Sequence, residues 1–323
     1  MESTSDTSVG VGGWAYFPSK GENRLSLCAR IYDFVEVNSS FYKLPQESLA
    51  RKWRSIVPEN FQFTLRANRK LTHESHLEPI EENFREYEKN LNICHVLRAS
   101  ILHFQFPPSF EVTTAVVKKW RDFFGSVKRE KGLHLAVELR NSSGDKRGIQ
   151  SFEDDHDIIP VSDPYRSEIQ VSKGSKIQYS RIFGLGEHTK WSFSTGELEE
   201  LRQKMTKTPA TRRYVTFHNI TMYEDGARMR NMLAQGGKDL DTSFVGIDAL
   251  KQAIIAERIH FPILCADLSQ KLAWRTIGIP NGRQEHVNNI LTNIGTDVRF
   301  EYLEDALRKC SPLFSPPSVG QRI

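Results

Sequence analysis

Between residues 8 and 219 the chain runs through eight short apolar stretches, and each closes on a polar or charged group. They occupy 8–14, 34–41, 61–65, 99–106, 134–139, 158–163, 177–184 and 213–219. Most are near-continuous rather than alternating, the pattern of strands buried on both faces. Segments of helical spacing lie between most of them. Residues 45–56 carry Leu49, Trp53 and Ile56, and 81–97 carry Phe84, Tyr87, Leu91 and Ile93. Residues 112–127 place Val116, Val117, Trp120, Phe123 and Phe124 on one face, and 195–205 line up Leu198, Leu201 and Met205 behind Thr195. Between the fifth, sixth and seventh runs the helices read as short or missing. Eight strands with mostly helical crossovers predict an α/β fold of the TIM-type (β/α)8 class.

The 323 residues suffice for one barrel and a small appendage. The expected division is a disordered start at 1–7, a barrel over 8–236, a linker over 237–246, a small helical module over 247–310 and a disordered tail over 311–323. Inside the module, helices are expected at 247–255, 267–277 and 284–294, with turns at Phe261-Pro262 and Pro280-Asn281-Gly282. There is no internal repeat.

Charged residues at 26% and apolar residues at 38% suit a soluble globular chain. No apolar run approaches the ~20 residues of a membrane span. The start MESTSDTS has no apolar core and is no secretory signal, so the expected compartment is the cytoplasm. Cys28, Cys94, Cys265 and Cys310 show no CxxC spacing, which argues against a zinc knuckle or a disulfide framework. A net charge of +4 does not by itself imply nucleic acid. No nucleotide-cofactor motif is present.

In a closed parallel barrel the carboxyl ends of all strands converge on one mouth. Glu36, Glu138 and Asp163 fall near the ends of the second, fifth and sixth runs, while Gln105, His218 and Asn219 end the fourth and eighth. Three readings are open. Glu36, Glu138 and Asp163 could hold a divalent metal ion. The carboxylates could do acid/base work without metal. Or they could be structural, with Glu138 paired to Arg140 or Arg66. Arg66, Arg69, Arg140 and Arg181 also sit at or just past run ends, a set suited to a carboxylate or phosphate. Trp14, Phe41, Tyr42, Tyr179 and Trp191 supply aromatic surface that stacks sugars or simply packs. His73 follows the third run in an expected loop and is a catalytic candidate. His103 alternates with Gln105 and so should point into the barrel. Gly184-Leu185-Gly186 reads as a turn or a phosphate cup. The basic stretch from Lys118 to Lys131 reads as a solvated helix face.

The segments VGVGGWAY, FVEVNSSFYKLP, FQFTLRANRKLTH, ILHFQFPPSF and LAVELRNSS resemble the YecE-like family, domain of unknown function 72. Weaker matches follow in VSDP, YSRIFG and YVTFHNITMYEDGARMRNML, so the resemblance covers residues 8 to 235. It implies a TIM-type barrel related to sugar isomerases. The family pattern has Lys where this chain has Arg66, and His-Gly where it has Phe183-Gly184. A chemistry that needs that lysine or histidine does not transfer, because arginine stays protonated and serves as an anion clamp. The segment from HFPILCADL to EYLEDALRK resembles the small module known as domain of unknown function 2795.

The expected function is therefore an enzyme acting at the barrel mouth on a small anionic or phosphorylated polyol or sugar, of isomerase, lyase or hydrolase type. Glu36, Glu138, Asp163, His73 and His218 form the catalytic set. Asn38, Tyr42, Arg66, Gln105, Arg140, Tyr179, Arg181, Trp191 and Asn219 form the substrate-binding set. The alternatives are a nucleic-acid-binding or nucleic-acid-processing protein using the same arginines and aromatics, and a non-catalytic binding scaffold. No membrane partner is expected, and oligomeric state is not legible.

Overall fold

The computed structural model describes residues 6–19, 21–140, 144–234 and 244–314. Eight parallel strands close into a barrel in the order in which they occur along the chain. They are β1 (Asp6–Val11), β2 (Phe34–Val37), β3 (Gln62–Arg66), β4 (Ile101–Gln105), β5 (His134–Glu138), β6 (Ile158–Ser162), β7 (Ile177–Ile182) and β8 (Arg212–Phe217). Every expected run overlaps one of them, though β1, β3 and β8 begin or end one or two residues outside their runs. Apart from β3, the strands stop short of their runs at the carboxyl end, where the last polar residues leave the ladder and turn over the mouth.

The helices following the strands are α1 (Arg24–Ile31), α2 (Glu47–Ile56), α3 (Glu81–Leu97), α4 (Thr114–Ser126), α5 (Lys146–Asp155), α6 (Thr195–Thr206) and α7 (Met222–Ala234). Two of these, α1 and α7, were not anticipated. α1 is short and weakly patterned, and it is fixed by Asn23, whose side chain accepts from the Leu25 and Ser26 amides. No helix joins β6 to β7 among the described residues, as the sequence suggested.

Side chains alternate in and out along each strand. One inward layer is apolar: Phe34, Ile101, Ala136, Ile159, Val161, Ile177, Tyr179 and Tyr214. Two residues further toward the carboxyl ends the same rows present Glu36, His103, Glu138, Arg181 and Thr216. Glycine stands at 10 in β1 and at 12 just after it. A β-carbon on Gly12 would stand 2.3 Å from His218 Nδ1, and one on Gly10 would stand 2.7 Å from the Phe34 ring. Both positions therefore need the missing side chain for neighbouring rows to close over them.

The described residues divide into two compact units, one within Met1–Ile182 and Gln203–His218, the other within Phe183–Arg202 and Asn219–Ile323. The second unit thus takes in the segment after β7, the start of α6 and all of α7. Its carboxyl-terminal part was expected to be helical only, and the structure corrects this. The elements are α8 (Ile247–Ala256), β9 (Ile263–Leu264), α9 (Cys265–Leu272), β10 (Thr276–Gly278), β11 (Gln284–His286), α10 (Val287–Leu291), β12 (Arg299–Phe300) and α11 (Leu303–Cys310). The expected helix 267–277 ends at Leu272, and the expected helix 284–294 opens as a strand. The reason is local: Gly282 at φ 78° closes the Pro280-Asn281-Gly282 turn, which folds β10 back on β11 as an antiparallel pair. A second pair joins β9 to β12. These elements enclose a core that includes Leu250, Leu268, Leu272, Val287, Leu291 and Phe300.

Of the stretches expected to be disordered or linking, residues 1–5, 237–243 and 315–323 lie outside the described residues. Among the described residues no helix is long and apolar enough to cross a membrane.

Candidate functional site at the barrel mouth

The centre of the mouth is Arg181, fully buried on β7. Its guanidinium binds two carboxylates at once. Nε and Nη2 donate to Glu36 Oε2 at 3.0 Å and Oε1 at 2.7 Å. Nη1 donates to Glu138 Oε2 and, at 3.1 Å, to Gln105 Oε1. The Tyr179 hydroxyl donates to Glu36 Oε2 at 2.5 Å and lies 3.1 Å from Thr64 Oγ1. Arg140 Nε donates to Glu138 Oε1 at 2.9 Å. The barrel alternation produces this meeting, since residues from β2, β3, β4, β5 and β7 aim inward near the carboxyl ends of their strands.

Two histidines flank the pairs. His103, buried on β4, brings Nε2 to 3.1 Å from Glu138 Oε2 and Nδ1 to 3.9 Å from Glu36 Oε2. Both His103 nitrogens are buried without a hydrogen-bond partner. His218, just past β8, places Nε2 3.7 Å from Glu36 Oε1 and Nδ1 3.5 Å from Asn38 Nδ2.

Charge states follow from these contacts. Burial alone would raise the Glu36 carboxyl, but Arg181, His218 and His103 hold it far below the usual range. Glu138 is likewise opposed by burial and held low by Arg181, His103 and Arg140. Burial, with Arg181 beside it, pushes His218 down to about 3. At neutral pH the core of the mouth therefore holds two carboxylates, neutral histidines and the guanidinium of Arg181.

Arg66, the last residue of β3, is arranged differently. Its guanidinium carbon lies 3.8 Å from the Phe41 ring centroid, and no carboxylate lies within ion-pair distance among the described residues. Its Nε is buried without a hydrogen-bond partner. Burial and Arg181 lower its pKa to about 10, still charged at neutral pH. His73 packs edge-on to the same Phe41 ring at 4.8 Å, and Tyr42 does so at 5.0 Å. His73 lies on a short π-helical turn, Lys70–Glu74, rather than the expected loop, with Nδ1 2.9 Å from Thr72 Oγ1. Partial burial and the charges of Arg66 and Arg69 lower its pKa, leaving it a free base near neutrality.

The structure thus gathers Glu36, Asn38, Arg66, His73, Gln105, Glu138, Arg140, Tyr179, Arg181 and His218, with Tyr42 73% exposed beside Phe41. Arg181, expected to clamp a substrate anion, is committed to Glu36, Glu138 and Gln105. Asp163 turns to its own loop, accepting from the Tyr165 amide at 3.0 Å and pairing with Arg166 at 3.4 Å. Trp191 and Asn219 belong to the second unit, where Asn219 Nδ2 donates to the Trp191 carbonyl at 2.8 Å and to Asp225 Oδ2 at 2.6 Å. The donor set does not fit a divalent ion held by Glu36, Glu138 and Asp163. All four oxygens of the two glutamates already accept hydrogen bonds, and no metal-binding trio forms among the described residues.

Sequence reasoning left His103 and Thr64 out of the site. The inward alternation of β4 pointed to the first. Ser40 was also missed. Its Oγ lies 2.5 Å from the Val37 carbonyl and 2.6 Å from the Arg66 carbonyl, sharing its one proton between them, and so ties the turn after β2 to the end of β3. No pattern in NSSF distinguishes that serine from its neighbour.

A family model described as "Protein of unknown function DUF72" matches residues 8–244. The UPF0759 protein YunF of Bacillus subtilis (strain 168) is 28% identical over 149 residues, 42% of this chain and 51% of that protein. The match spans about half the length of that curated relative. A DUF72 family protein of Thermotoga maritima superposes with a TM-score of 0.59 at 19% identity, covering 71% of this chain and 99% of its own. One from Enterococcus faecalis gives 0.56 at 19% identity, covering 71% and 98%. At these identities the structural likeness is one of fold.

Proposed function

We propose that this chain, which belongs to the DUF72 family, is an enzyme that acts at the carboxyl mouth of its barrel on a small anionic or phosphorylated polyol. The observation that carries the reading is Arg66. Arg181 and Arg140 already answer the two buried glutamates, so the guanidinium stacked on Phe41 is a cation with no carboxylate of its own. An incoming phosphate or carboxylate completes it, with Arg140 as the neighbouring donor.

The division of labour follows from the charge states. Glu36 and Glu138 are too acidic and too fully hydrogen-bonded to exchange protons near pH 7. They hold Arg181 and fix the field of the mouth. His73, a partly exposed free base packed edge-on to the Phe41 ring on which Arg66 stacks, is the group placed to take a proton from the bound anion and return it. Arg66 stabilises negative charge that develops meanwhile. Proton abstraction is the step that isomerases and lyases of hydroxylated anions share; an isomerase then returns the proton to carbon, and a lyase gives it to the leaving group.

The test is thermal unfolding of the full chain with inorganic phosphate, glycerol 3-phosphate or a short single-stranded oligonucleotide. Ligand at 100 times its Kd adds about 2.7 kcal/mol of stability, read as a rise of several degrees in Tm. The two small phosphates should raise Tm, and Arg66→Ala should remove the rise. No response at millimolar phosphate sinks the reading. A response to the oligonucleotide alone moves it to the nucleic-acid alternative.

A further inference from the structure

The same mouth carries a second atom that asks for a partner, and it asks for the opposite kind. Asn38 opens the 3-10 turn directly after β2, and the register pairs Val37 with Leu65, so Asn38 and Arg66 each follow one member of a paired couple on neighbouring strands. Strands so paired run about 4.8 Å apart. The Asn38 amide nitrogen donates to the Gly12 carbonyl at 2.8 Å. A carbonyl can only accept, so this bond fixes the orientation of the amide and turns Oδ1 the other way. Asn38 Oδ1 is buried and has no hydrogen-bond partner, as is Arg66 Nε. One is an acceptor and the other a donor. Buried polar atoms in folded proteins are nearly always satisfied, by protein, water or ligand.

We infer that the ligand of this site carries a hydroxyl a few bonds from its anionic group, the hydroxyl donating to Asn38 Oδ1 while an anionic oxygen accepts from Arg66 Nε. The inference rests on the anion-binding reading above and narrows it from any small anion to a hydroxylated one. A bare phosphate satisfies Arg66 and leaves Asn38 without a donor. A neutral polyol does the reverse. Only a molecule with both completes the pair, and it is a short one because Asn38 and Arg66 directly follow residues paired across β2 and β3. Ser40 and Asn68 support the geometry. Ser40 Oγ donates to the Arg66 carbonyl at 2.6 Å, and Asn68 Nδ2 donates to the Ser40 carbonyl at 3.1 Å, so the turn bearing Asn38 is tied to β3.

The experiment is calorimetric titration of the full chain with two probes that differ by one hydroxyl, propane-1,2-diol 1-phosphate and propyl phosphate. A site built to hydrogen-bond a hydroxyl rejects the analogue that lacks it, so the diol phosphate should bind at least about tenfold tighter. Asn38→Ala should bring the two probes to equal affinity by weakening only the first. Arg66→Lys, which keeps the charge but loses Nε, should weaken both. The comparison on the unaltered chain is decisive even where a variant fails to fold. Equal binding of the two probes by that chain overturns the hydroxyl inference and leaves the anion reading standing. Binding of neither overturns both.

Discussion

Arg181 shows what one residue does in this barrel. A guanidinium out of water is costly, and so are two carboxylates, yet together they form a closed set in which each charge answers another. Such a group contributes little net stability when intact and costs a great deal when broken. Arg181→Met should destabilise the fold by about 3–5 kcal/mol, because Glu36 and Glu138 are left buried without their main counter-charge. Urea unfolding at pH 7 measures it, and a loss below about 1 kcal/mol would show that the carboxylates find other partners. The acid limb checks the same physics. Both carboxyls are held below their unfolded values, so the stability they confer is complete above about pH 4.3 and fades as pH falls through the folded values. The variant should lose this limb.

At the scale of the element, α5 holds a charge problem that the mouth has solved and the helix has not. Glu153 is 5% exposed on α5, with no hydrogen-bond or ion-pair partner among the described residues. Burial, aided by the neighbouring Asp154, raises its carboxyl to about 8. The sign is opposite to that of Glu36. The folded state keeps the proton while the unfolded chain gives it up near 4.3, so this residue lowers stability as pH rises from about 4.3 to 8. Glu153→Gln should raise Tm at pH 8, leave it nearly unchanged at pH 4, and flatten the profile between. Melting curves across that range decide, and a variant less stable at pH 8 would mean that the carboxylate has a partner in solution. β1 makes the converse point about elements. Glycine stands at 10, within it, and at 12, just past its end, because Phe34 of β2 and His218 after β8 fill that space.

Across the whole molecule, the second unit is not confined to the end of the chain. The segment after β7 is bound to the carboxyl-terminal elements by a run of contacts within that unit. The Ser192 amide donates to the Trp274 carbonyl at 2.9 Å, and Ser192 Oγ lies 2.7 Å from Thr276 Oγ1. The Gln284 amide donates to Thr195 Oγ1 at 2.9 Å. His286 Nε2 lies 2.8 Å from Glu197 Oε2, and that carboxylate also accepts from the Ser194 amide in a capping box at the start of α6. Truncation after Ala234 removes Trp274, Thr276, Gln284 and His286 and leaves only the capping box. We expect the truncated chain to melt several degrees lower than the full one, with faster proteolysis in 183–202. An unchanged Tm would show that the carboxyl-terminal elements are an independent module.

The family and the barrel were legible in the sequence because both rest on local pattern. Each apolar run needs burial on two faces, and each polar run end needs a place where a charge can meet water or a partner. The positions of Glu36, Glu138, Arg66 and Arg181 followed directly. Their pairing did not. The sequence places Arg66, Arg140 and Arg181 alike at strand ends, and only the closed barrel decides that Arg181 reaches Glu36 across 145 residues while Arg66 stacks on Phe41 instead. The same holds for Asp163, a strand-end carboxylate by pattern that its own turn claims. The hairpin of β10 and β11 was written in Pro280-Asn281-Gly282 but was hidden by short strands with too few residues to show a period of two. Pattern tells a side chain which way to point; which partner it meets there depends on shear and register, and those exist only once the sheet has closed.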